Sequence, residues 1–294
     1  MNILLTGASG FIGRNIAYQL NAAGHQVRCV SRSQGFDFCQ MQGSADWLPL
    51  LEGIDVVINS VGIIGEAATQ RFTPLHTLAP QALFRACGEA GVRRVVQISA
   101  LGADASAFSA YHLSKLAADD YLRSLDLDWF VLRPSLVYGR AGTSSELFMR
   151  MARLPLIPLI GSGQQPLQPV HISDVVATVI ACLSAPQAQQ TLDIVGSQTL
   201  SFAEWLQYMR RAQGLSAGRM LHIPLVLAMA GTWLGRWFSP LLQPDNLRML
   251  QTGYLADVQP ISEFLGRSPR ALEPQLFFLD ATTTTSAGSA TCSI

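Results

Sequence analysis

Near the start of the chain stands the sequence Thr6-Gly7-Ala8-Ser9-Gly10-Phe11-Ile12-Gly13, whose glycines recur at every third position. The apolar run Asn2–Thr6 before it predicts a buried strand. After it, Ile12, Ile16 and Leu20 recur four residues apart and Gly24 follows as a C-cap, so Phe11–Ala23 is predicted as a helix. The glycines therefore form a turn between a strand and a helix.

Such a turn is typical of dinucleotide-binding sites. The free N–H groups and the dipole at a helix N-terminus bind an anion such as a pyrophosphate. We expect Gly7 to permit the tight turn, Gly10 to let the backbone approach the phosphates and Gly13 to allow close packing of helix on strand. The predicted cofactor contacts in this region are Thr6, Gly7, Ser9, Gly10, Phe11, Ile12, Gly13 and Arg14.

Apolar strands and amphipathic helices alternate through the N-terminal half, which predicts an α/β fold with a Rossmann-type doubly wound parallel sheet. The further predicted strands are Gln26–Ser31, a weakly marked one within Phe36–Met41, Asp55–Ser60, Arg94–Ser99 and Trp129–Pro134. The further predicted helices are Pro74–Ala90 and Ala110–Leu125.

The pattern loosens after Gly139, and a smaller, mainly helical C-terminal lobe is predicted there. We assign residues 1–140 to an NAD(P)-binding domain, to which segments near 170–196 return, and residues 141–281 to a substrate lobe. The Thr/Ser/Ala-rich residues 282–294 are predicted as a disordered tail. The later predicted elements are a loop over Leu154–Pro169, a strand at Thr191–Val195, and helices at His171–Ser184, Ser201–Gln213, Pro224–Phe238 and Asp245–Gln251.

The second predicted strand ends at Ser31 and Arg32, where an NAD-selective site usually carries Asp or Glu to bind the ribose hydroxyl. A serine and an arginine suit a 2′-phosphate instead, and Arg14 offers a second cation. The sequence therefore favours NADP(H) over NAD(H).

Tyr111-His112-Leu113-Ser114-Lys115 forms a Y-x-x-x-K pattern on a predicted helix. A spacing of four residues places both side chains on one face, so the ammonium is expected to lower the pKa of the phenol. Lys115 is the only lysine among 20 basic residues, which indicates that an ammonium is needed at this position. We predict Tyr111 as the proton donor or acceptor and Lys115 as its partner and a ribose contact.

Together these residues resemble the short-chain dehydrogenase/reductase superfamily in its extended or atypical branches, from Met1 to about Val176. Asp55–Gly62, Arg133–Arg140 and Val170–Val175 also match the superfamily's pattern. Within it, the chain is similar to the NADPH-binding accessory subunit group of complex I, through Ile98–Asp104, Arg133–Ser135 with Gly139-Arg140, and Phe72 with His76. The resemblance implies further cofactor contacts at Ser60, Val61, Gly62, Ser99, Pro134 and Val137.

Two positions depart from the superfamily's pattern. Extended enzymes carry a serine shortly after the fifth strand and a second Ser or Thr two positions later. Here the serine is Ser99, and it is followed by Ala100 and Leu101. Ser99 is therefore the remaining candidate for the third catalytic group. Nucleotide-sugar epimerases place asparagine where this chain has Leu136, which counts against a nucleotide-sugar substrate.

Composition restricts the classes of binding partner that we expect. The formal net charge is zero, which gives no electrostatic reason to expect nucleic acid. The five cysteines stand at no metal-ligand or redox-pair spacing, so no metal site is predicted. The chain opens without a signal-peptide pattern, which favours a cytoplasmic location. Residues 221–242 are poor in charge and contain Trp233 and Trp237, so they are read as a buried helix or, second, as a peripheral membrane contact.

The leading prediction is an oxidoreductase that transfers hydride between a nicotinamide cofactor and a small molecule, an apolar carbonyl or quinone-like compound. Two alternatives stay open. One is a protein that holds NADP(H) as a sensor or assembly factor without chemistry, and the other is a nucleotide-sugar epimerase/dehydratase.

Overall fold

A computed structural model describes residues 1–67, 69–224, 226–228 and 243–281. Its strands, numbered in chain order, are β1 Asn2–Thr6, β2 Gln26–Val30, β3 Val56–Asn59, β4 Arg94–Ile98, β5 Asp128–Pro134, β6 Val137–Tyr138, β7 Leu156–Ile160, β8 Pro166–Leu167, β9 Val170–His171, β10 Gln190–Ile194, β11 Leu200–Ser201 and β12 Arg219–Ile223.

The α-helices are α1 Phe11–Ala22, α2 Ser44–Leu51, α3 Ala79–Ala90, α4 Ala110–Arg123, α5 Thr143–Arg153, α6 Ile172–Ser184, α7 Phe202–Ala212, α8 Pro244–Thr252 and α9 Gln259–Leu265. A π-helical turn, Thr73–Leu78, leads into α3. Short 3-10 helices cover Arg32–Gln34 and Pro274–Phe278.

The central sheet has six parallel strands in the order β10-β5-β4-β3-β1-β2. The chain runs outward from β1 to β2 and then returns to β3 on the other side of β1, so the strand order switches between β1 and β3. Ligands of doubly wound sheets bind beside the carboxyl ends of the strands at such a switch. The predicted Rossmann-type fold is confirmed.

The strand predicted within Phe36–Met41 is wrong, because these residues form turns. The Asp37 side chain accepts a hydrogen bond from the Cys39 backbone N–H at 3.0 Å, and the Gln40 N–H donates to the Asp37 carbonyl at 2.9 Å. Local bonds of this kind compete with a sheet ladder. Phe38 is buried instead against Trp47 of α2, with ring centroids 5.7 Å apart.

The loop predicted over Leu154–Pro169 is also wrong in part, since it contains β7 and β8. β7 pairs in parallel with β12, and its residues Ile157 and Leu159 are fully buried. Pro158 is tolerated in β7 because, among the described residues, this strand pairs with β12 alone.

Two core clusters lie on the two faces of the central sheet, and a third packs α5 and α7 against Tyr138 and Phe277. Residues of β10 and α6 belong to the first cluster. The two-lobe division stays a prediction. The predicted tail and most of the predicted helix Pro224–Phe238 lie outside the described residues. Within the described ranges, none of the helices has the length and apolar character needed to cross a membrane.

Candidate functional site

The glycine turn is fixed by close backbone contacts. Gly7 has φ +72°, and its N–H donates to the Val30 carbonyl at 2.9 Å. A Cβ atom on Gly13 would lie 2.2 Å from the Gly7 carbonyl oxygen, so this position accepts only glycine. A Cβ on Gly10 would lie 3.2 Å from the same oxygen, which is much less restrictive. Gly10 is the N-cap of α1 and provides no side-chain cap, which leaves the helix N-terminus available to a ligand.

A cleft of about 470 Å³ opens at the switch between β1 and β3. Many predicted site residues line it together: Gly10, Phe11, Ile12, Ser60, Val61, Gly62, Ser99, Tyr111, Lys115, Pro134 and Val137. We call residues 10–12 and 60–62 the glycine lining. The rest of the cleft includes a set that we call the apolar lining: Ile63, Ile64, Leu101, Leu136, Leu167 and Met249.

Lys115 is buried, and its ammonium is held at a defined point. Nζ donates to the carbonyl oxygens of Val61 at 3.0 Å and of Ile98 at 2.9 Å. Burial lowers the pKa of Lys115 to about 8, which leaves the amine protonated at neutral pH. A Cβ on Gly62 would lie 3.2 Å from Nζ, so glycine at this position keeps the space beside the ammonium open.

Tyr111 is half-buried and is surrounded by other rings. Its ring contacts Phe72, His76 and His112 edge-on, with centroid distances of 5.9, 5.6 and 5.1 Å. Burial, with the charge of Asp119, raises the pKa of Tyr111 to about 12. The expected lowering of this pKa by Lys115 is not found, because burial and the charge of Asp119 both raise it. The phenol is protonated at neutral pH and is suited to donate a proton.

Ser99 is buried, and a buried carboxylate accepts the hydrogen of its hydroxyl. Its hydroxyl donates to Oδ2 of Asp119, which is fully buried on α4. Burial raises the pKa of Asp119 to about 6. Asp119 was missed by the sequence reasoning, although it stands four residues after Lys115 and therefore shares the helix face of Tyr111 and Lys115.

His76 fixes the loop that contacts Lys115. Nε2 accepts from the Ile63 backbone N–H at 3.0 Å, so Nδ1 carries the hydrogen and faces Ser114 Oγ at 3.0 Å. Burial lowers the pKa of His76 well below its usual value, so the ring is neutral. His76 thus ties the loop of Val61 and Gly62 to α4. The sequence had marked it only through the resemblance.

The remaining predicted residues lie around the turn rather than in the cleft lining. Thr6 is buried at the end of β1, and Ser9 is exposed. The Arg14 guanidinium donates to the Ala141 carbonyl at 2.9 Å. Ser31 is buried, with its hydroxyl bonded to Gln34 Oε1 at 2.9 Å, and Arg32 is exposed just beyond β2.

These residues fit a nicotinamide dinucleotide. The uncapped N-terminus of α1 suits the pyrophosphate, and Lys115 beside Gly62 suits a ribose. Among the described residues, no cluster of His, Cys, Asp or Glu suits a metal ion.

Comparison with known proteins agrees with this geometry. Residues 3–195 match the NAD dependent epimerase/dehydratase family. In fold, the chain is similar to MoeE5 in complex with UDP-glucose and NAD, with a TM-score of 0.74, 22% identity and coverage of 97% of this chain and 98% of that one.

Two curated relatives match over most of their length. A mouse (Mus musculus) protein, NADH dehydrogenase [ubiquinone] 1 alpha subcomplex subunit 9, mitochondrial, is 26% identical over 91% of this chain and 76% of its own. Ceramide reductase of Caulobacter vibrioides is 25% identical over 89% of this chain and 88% of its own. The resemblance to extended short-chain dehydrogenases/reductases is thereby confirmed, and the chain belongs to the NAD dependent epimerase/dehydratase family.

Proposed function

We propose that this protein is an NADP(H)-dependent oxidoreductase that reduces an apolar carbonyl or quinone-like compound. The observation that carries the proposal is that Tyr111 and Lys115 line the same cleft as the N-terminus of α1. A proton donor, a fixed ammonium and a dinucleotide turn thus meet around one space.

Each residue has a defined task in this reaction. The bound cofactor supplies hydride from its nicotinamide ring. Tyr111, protonated at neutral pH, gives its proton to the substrate oxygen as that oxygen becomes negative. Lys115 makes two N–H bonds, to Val61 and Ile98, and lines the cleft, so its third N–H is available to bind the ribose and stabilise the phenolate. Asp119 stabilises the charged form of Lys115.

The apolar lining supports an apolar substrate. Leu101, Leu136 and Leu167 offer no hydrogen bond, so a polar sugar would leave its hydroxyls unpaired there. MoeE5 is described in complex with a UDP-sugar, but Leu136 argues against that substrate class for this chain. The relative named ceramide reductase is by its name an enzyme that acts on a lipid.

Arg32 supports NADP(H) over NAD(H). The last residue of β2, Val30, pairs with Thr6 at the end of β1, so Ser31 and Arg32 follow directly beside the glycine turn. An exposed guanidinium there suits a 2′-phosphate, and Asp or Glu is absent from the position.

The second candidate is a protein that holds the cofactor without chemistry. Two observations favour it. The Ser99 hydroxyl donates its hydrogen bond to Asp119, and Leu101 stands where the superfamily's pattern has Ser or Thr. The relative named as a subunit of NADH dehydrogenase is by its name part of a larger assembly.

A turnover assay decides between the two candidates. NADPH and NADH oxidation would be followed with a straight-chain aldehyde (decanal), a quinone (menadione) and an aromatic ketone as probes. We expect oxidation with at least one probe and a higher kcat/KM for NADPH. Tight NADPH binding without turnover on any probe would favour the holding protein.

We also propose that the protein contacts a membrane surface through residues 221–242 and the neighbouring strands. Leu156 of β7 and Leu221 of β12 are 52% and 51% exposed, and Val226 and Leu227 are 79% and 63% exposed. Apolar side chains grouped in this way mark interaction surfaces. Sedimentation with phospholipid vesicles tests the contact, and the Leu156→Asp/Leu221→Asp variant should bind less.

The charge around these strands fits an anionic surface. The sequence contains no Asp or Glu between Glu204 and Asp245, while Arg211 and Arg219 are exposed there. We therefore expect vesicles with phosphatidylglycerol to bind more protein than phosphatidylcholine alone. Equal binding would remove the electrostatic part of the proposal. A cytoplasmic location remains our prediction, and cell fractionation tests it.

A further inference from the structure

The cleft lacks the hydroxyl that the superfamily's pattern places beside the catalytic tyrosine. Position 101 is leucine and Ala100 precedes it. The Ser99 hydroxyl donates a hydrogen bond to Asp119. A reductase gains from a second hydrogen-bond donor at the substrate oxygen, because that oxygen becomes negative during hydride transfer. Another side chain in this cleft can supply it.

Tyr254, which follows α8 in the chain, lies beside this position. Its ring packs on Gly102, next to Leu101, where a Cβ atom would be 2.5 Å from Cε1 of Tyr254. Gly102 also has φ +92°, a conformation that favours glycine. The backbone after β4 thus makes room for the Tyr254 ring next to position 101.

The ring of His112 connects Tyr254 to Tyr111. The Tyr254 hydroxyl lies 3.4 Å from Nδ1 of His112, and the two rings are 5.0 Å apart edge-on. His112 contacts the Tyr111 ring on its other side, at 5.1 Å. All three side chains line the cleft. A contact of 3.4 Å is weak, so the phenol hydrogen is available to a nearer acceptor.

The backbone on both sides of Tyr254 is anchored. Gly253 has φ +65° and packs so closely on Pro166 that a Cβ atom would lie 2.7 Å from that ring. The Ala256 N–H donates to Oε1 of the buried Gln168 at 3.1 Å. The position of Tyr254 is therefore set by the surrounding fold.

We propose that Tyr254 is a catalytic residue whose hydroxyl binds the oxygen of the substrate carbonyl in place of the usual serine or threonine. This inference rests on the proposed function. The carbonyl carbon receives hydride from the reduced nicotinamide, and the electron pair of its π bond moves to the oxygen. That oxygen takes the proton of Tyr111, while Tyr254 donates a hydrogen bond and transfers no proton.

His112 orients the Tyr254 phenol and carries no charge itself. Burial lowers the pKa of His112 to about 4, so its ring is neutral where the enzyme would work. Because the His112 imidazole beside the Tyr254 phenol is neutral, Lys115 is the charged group that acts on Tyr111.

The test compares Tyr254→Phe with the parent, using NADPH with decanal and menadione as probes. Tyr121→Phe is the matched control, because its phenol contacts Arg85 on the surface. We expect kcat to fall about 10²-fold in Tyr254→Phe, as for loss of one donor to a developing oxyanion. NADPH affinity, Tm and the kcat of Tyr121→Phe should stay at the parent value.

A double variant tests the place of the hydroxyl. In Tyr254→Phe/Leu101→Ser, a serine restores a donor at the usual position, and we expect kcat to recover at least in part. An unchanged kcat in Tyr254→Phe would overturn the proposal. So would a loss that Leu101→Ser does not relieve, or one that comes with weaker NADPH binding, because either would indicate a structural role.

If the parent oxidises no NADPH with any probe, the proposed function fails, and binding decides the role of Tyr254. Menadione binding to the NADPH-loaded protein would be measured by calorimetry. A hydrogen bond from Tyr254 predicts about 2- to 10-fold weaker binding in Tyr254→Phe. Equal binding in parent and variant would overturn the assignment.

Discussion

The glycine lining and the apolar lining of the cleft differ in what forms them. The glycine lining lies at the ends of β1 and β3, beside the glycine turn, whose spacing is fixed by backbone contacts: a Cβ atom on Gly13 would lie 2.2 Å from the Gly7 carbonyl oxygen. The apolar lining consists of side chains from separate parts of the chain, among them Leu136, Leu167 and Met249.

This difference separates a part of the cleft that tolerates substitution poorly from a part that tolerates it well. A turn held by backbone geometry accepts few substitutions. Side chains can change without disturbing the sheet, so we expect the apolar lining and Tyr254 to determine substrate choice. Substitutions in the glycine turn should therefore have large effects, and those at the edge of the cofactor site small ones.

The largest effect is expected for Gly13→Ala. Its methyl group would overlap the Gly7 carbonyl and force α1 away from β1, so cofactor binding should be lost and the protein should unfold more easily. Gly24→Ala is a contrast at a helix end, where no atom lies within 4 Å of the new Cβ, although φ +80° still adds strain. NADPH titration and Tm measure both variants. Parent-like cofactor affinity in Gly13→Ala would place the site elsewhere.

Tyr111→Phe should stop catalysis while leaving cofactor binding intact. Only the hydroxyl is removed, and the ring still packs against Phe72, His76 and His112. We expect kcat to fall by about 10²–10⁴-fold, the usual contribution of a positioned proton donor. Steady-state kinetics and an NADPH titration separate the two quantities. Full activity in Tyr111→Phe would exclude Tyr111 as the proton donor.

Lys115→Met should weaken both turnover and NADPH binding, because the ribose contact is lost together with the charge. In the parent, the ammonium loses its proton as pH rises through about 8. The rate of carbonyl reduction should therefore be level below that pH and decline above it. A profile that continued to rise past pH 9 would contradict the assigned role of Lys115.

Asp119→Asn should move that decline to lower pH. The negative charge of Asp119 raises the pKa of Lys115, so its removal makes the buried ammonium easier to deprotonate. The variant should keep its NADPH affinity at pH 6 and lose activity earlier as pH rises. Asp120→Asn, an exposed neighbour on α4, is the control and should leave the profile unchanged.

Asp119→Asn should also change the dependence of stability on pH. The pKa of Asp119 is raised on folding, so the folded parent binds more protons than the unfolded chain between its ordinary value and about 6. Stability is therefore lost as pH rises across that window. Urea unfolding at several pH values should show this loss in the parent and a smaller one in the variant.

The smallest effect is expected for Arg32→Asp, which alters one contact at the edge of the cofactor site. An acid in place of the guanidinium should weaken the binding of NADPH by at least about 1.5 kcal/mol, roughly 10-fold. It should also make the binding of NADH relatively more favourable. Titration with both cofactors measures the change. Equal affinity of the parent for NADPH and NADH would contradict the assigned role of Arg32.

The sequence predicted best what depends on neighbouring residues. The strand, turn and helix around Gly7–Gly13 and the helix of Tyr111 and Lys115 follow from local periodicity, and the structure confirms these elements. The Ser99–Asp119 bond joins residues 20 apart, and the contact between His112 and Tyr254 joins residues 142 apart. Neither distance is encoded in a local pattern.

The two wrong elements have different causes. At Phe36–Met41, buried apolar residues were read as a strand, although the Asp37 side chain closes a turn. At Leu154–Pro169, prolines were read as a loop, although the pairing of β7 with β12 depends on residues more than 60 positions away. A local side-chain hydrogen bond decided the first segment, and pairing with a distant strand decided the second.

Isotope transfer tests the central claim, hydride transfer assisted by Tyr111, most directly. The protein would be incubated with NADPH deuterated at C4 on the transferred side and with decanal, and the alcohol product would be analysed by mass spectrometry. We predict one deuterium on the carbinol carbon in the parent and a product yield lower by about 10²-fold or more in Tyr111→Phe. Bound cofactor with no deuterated product from decanal or an aromatic ketone would contradict the claim.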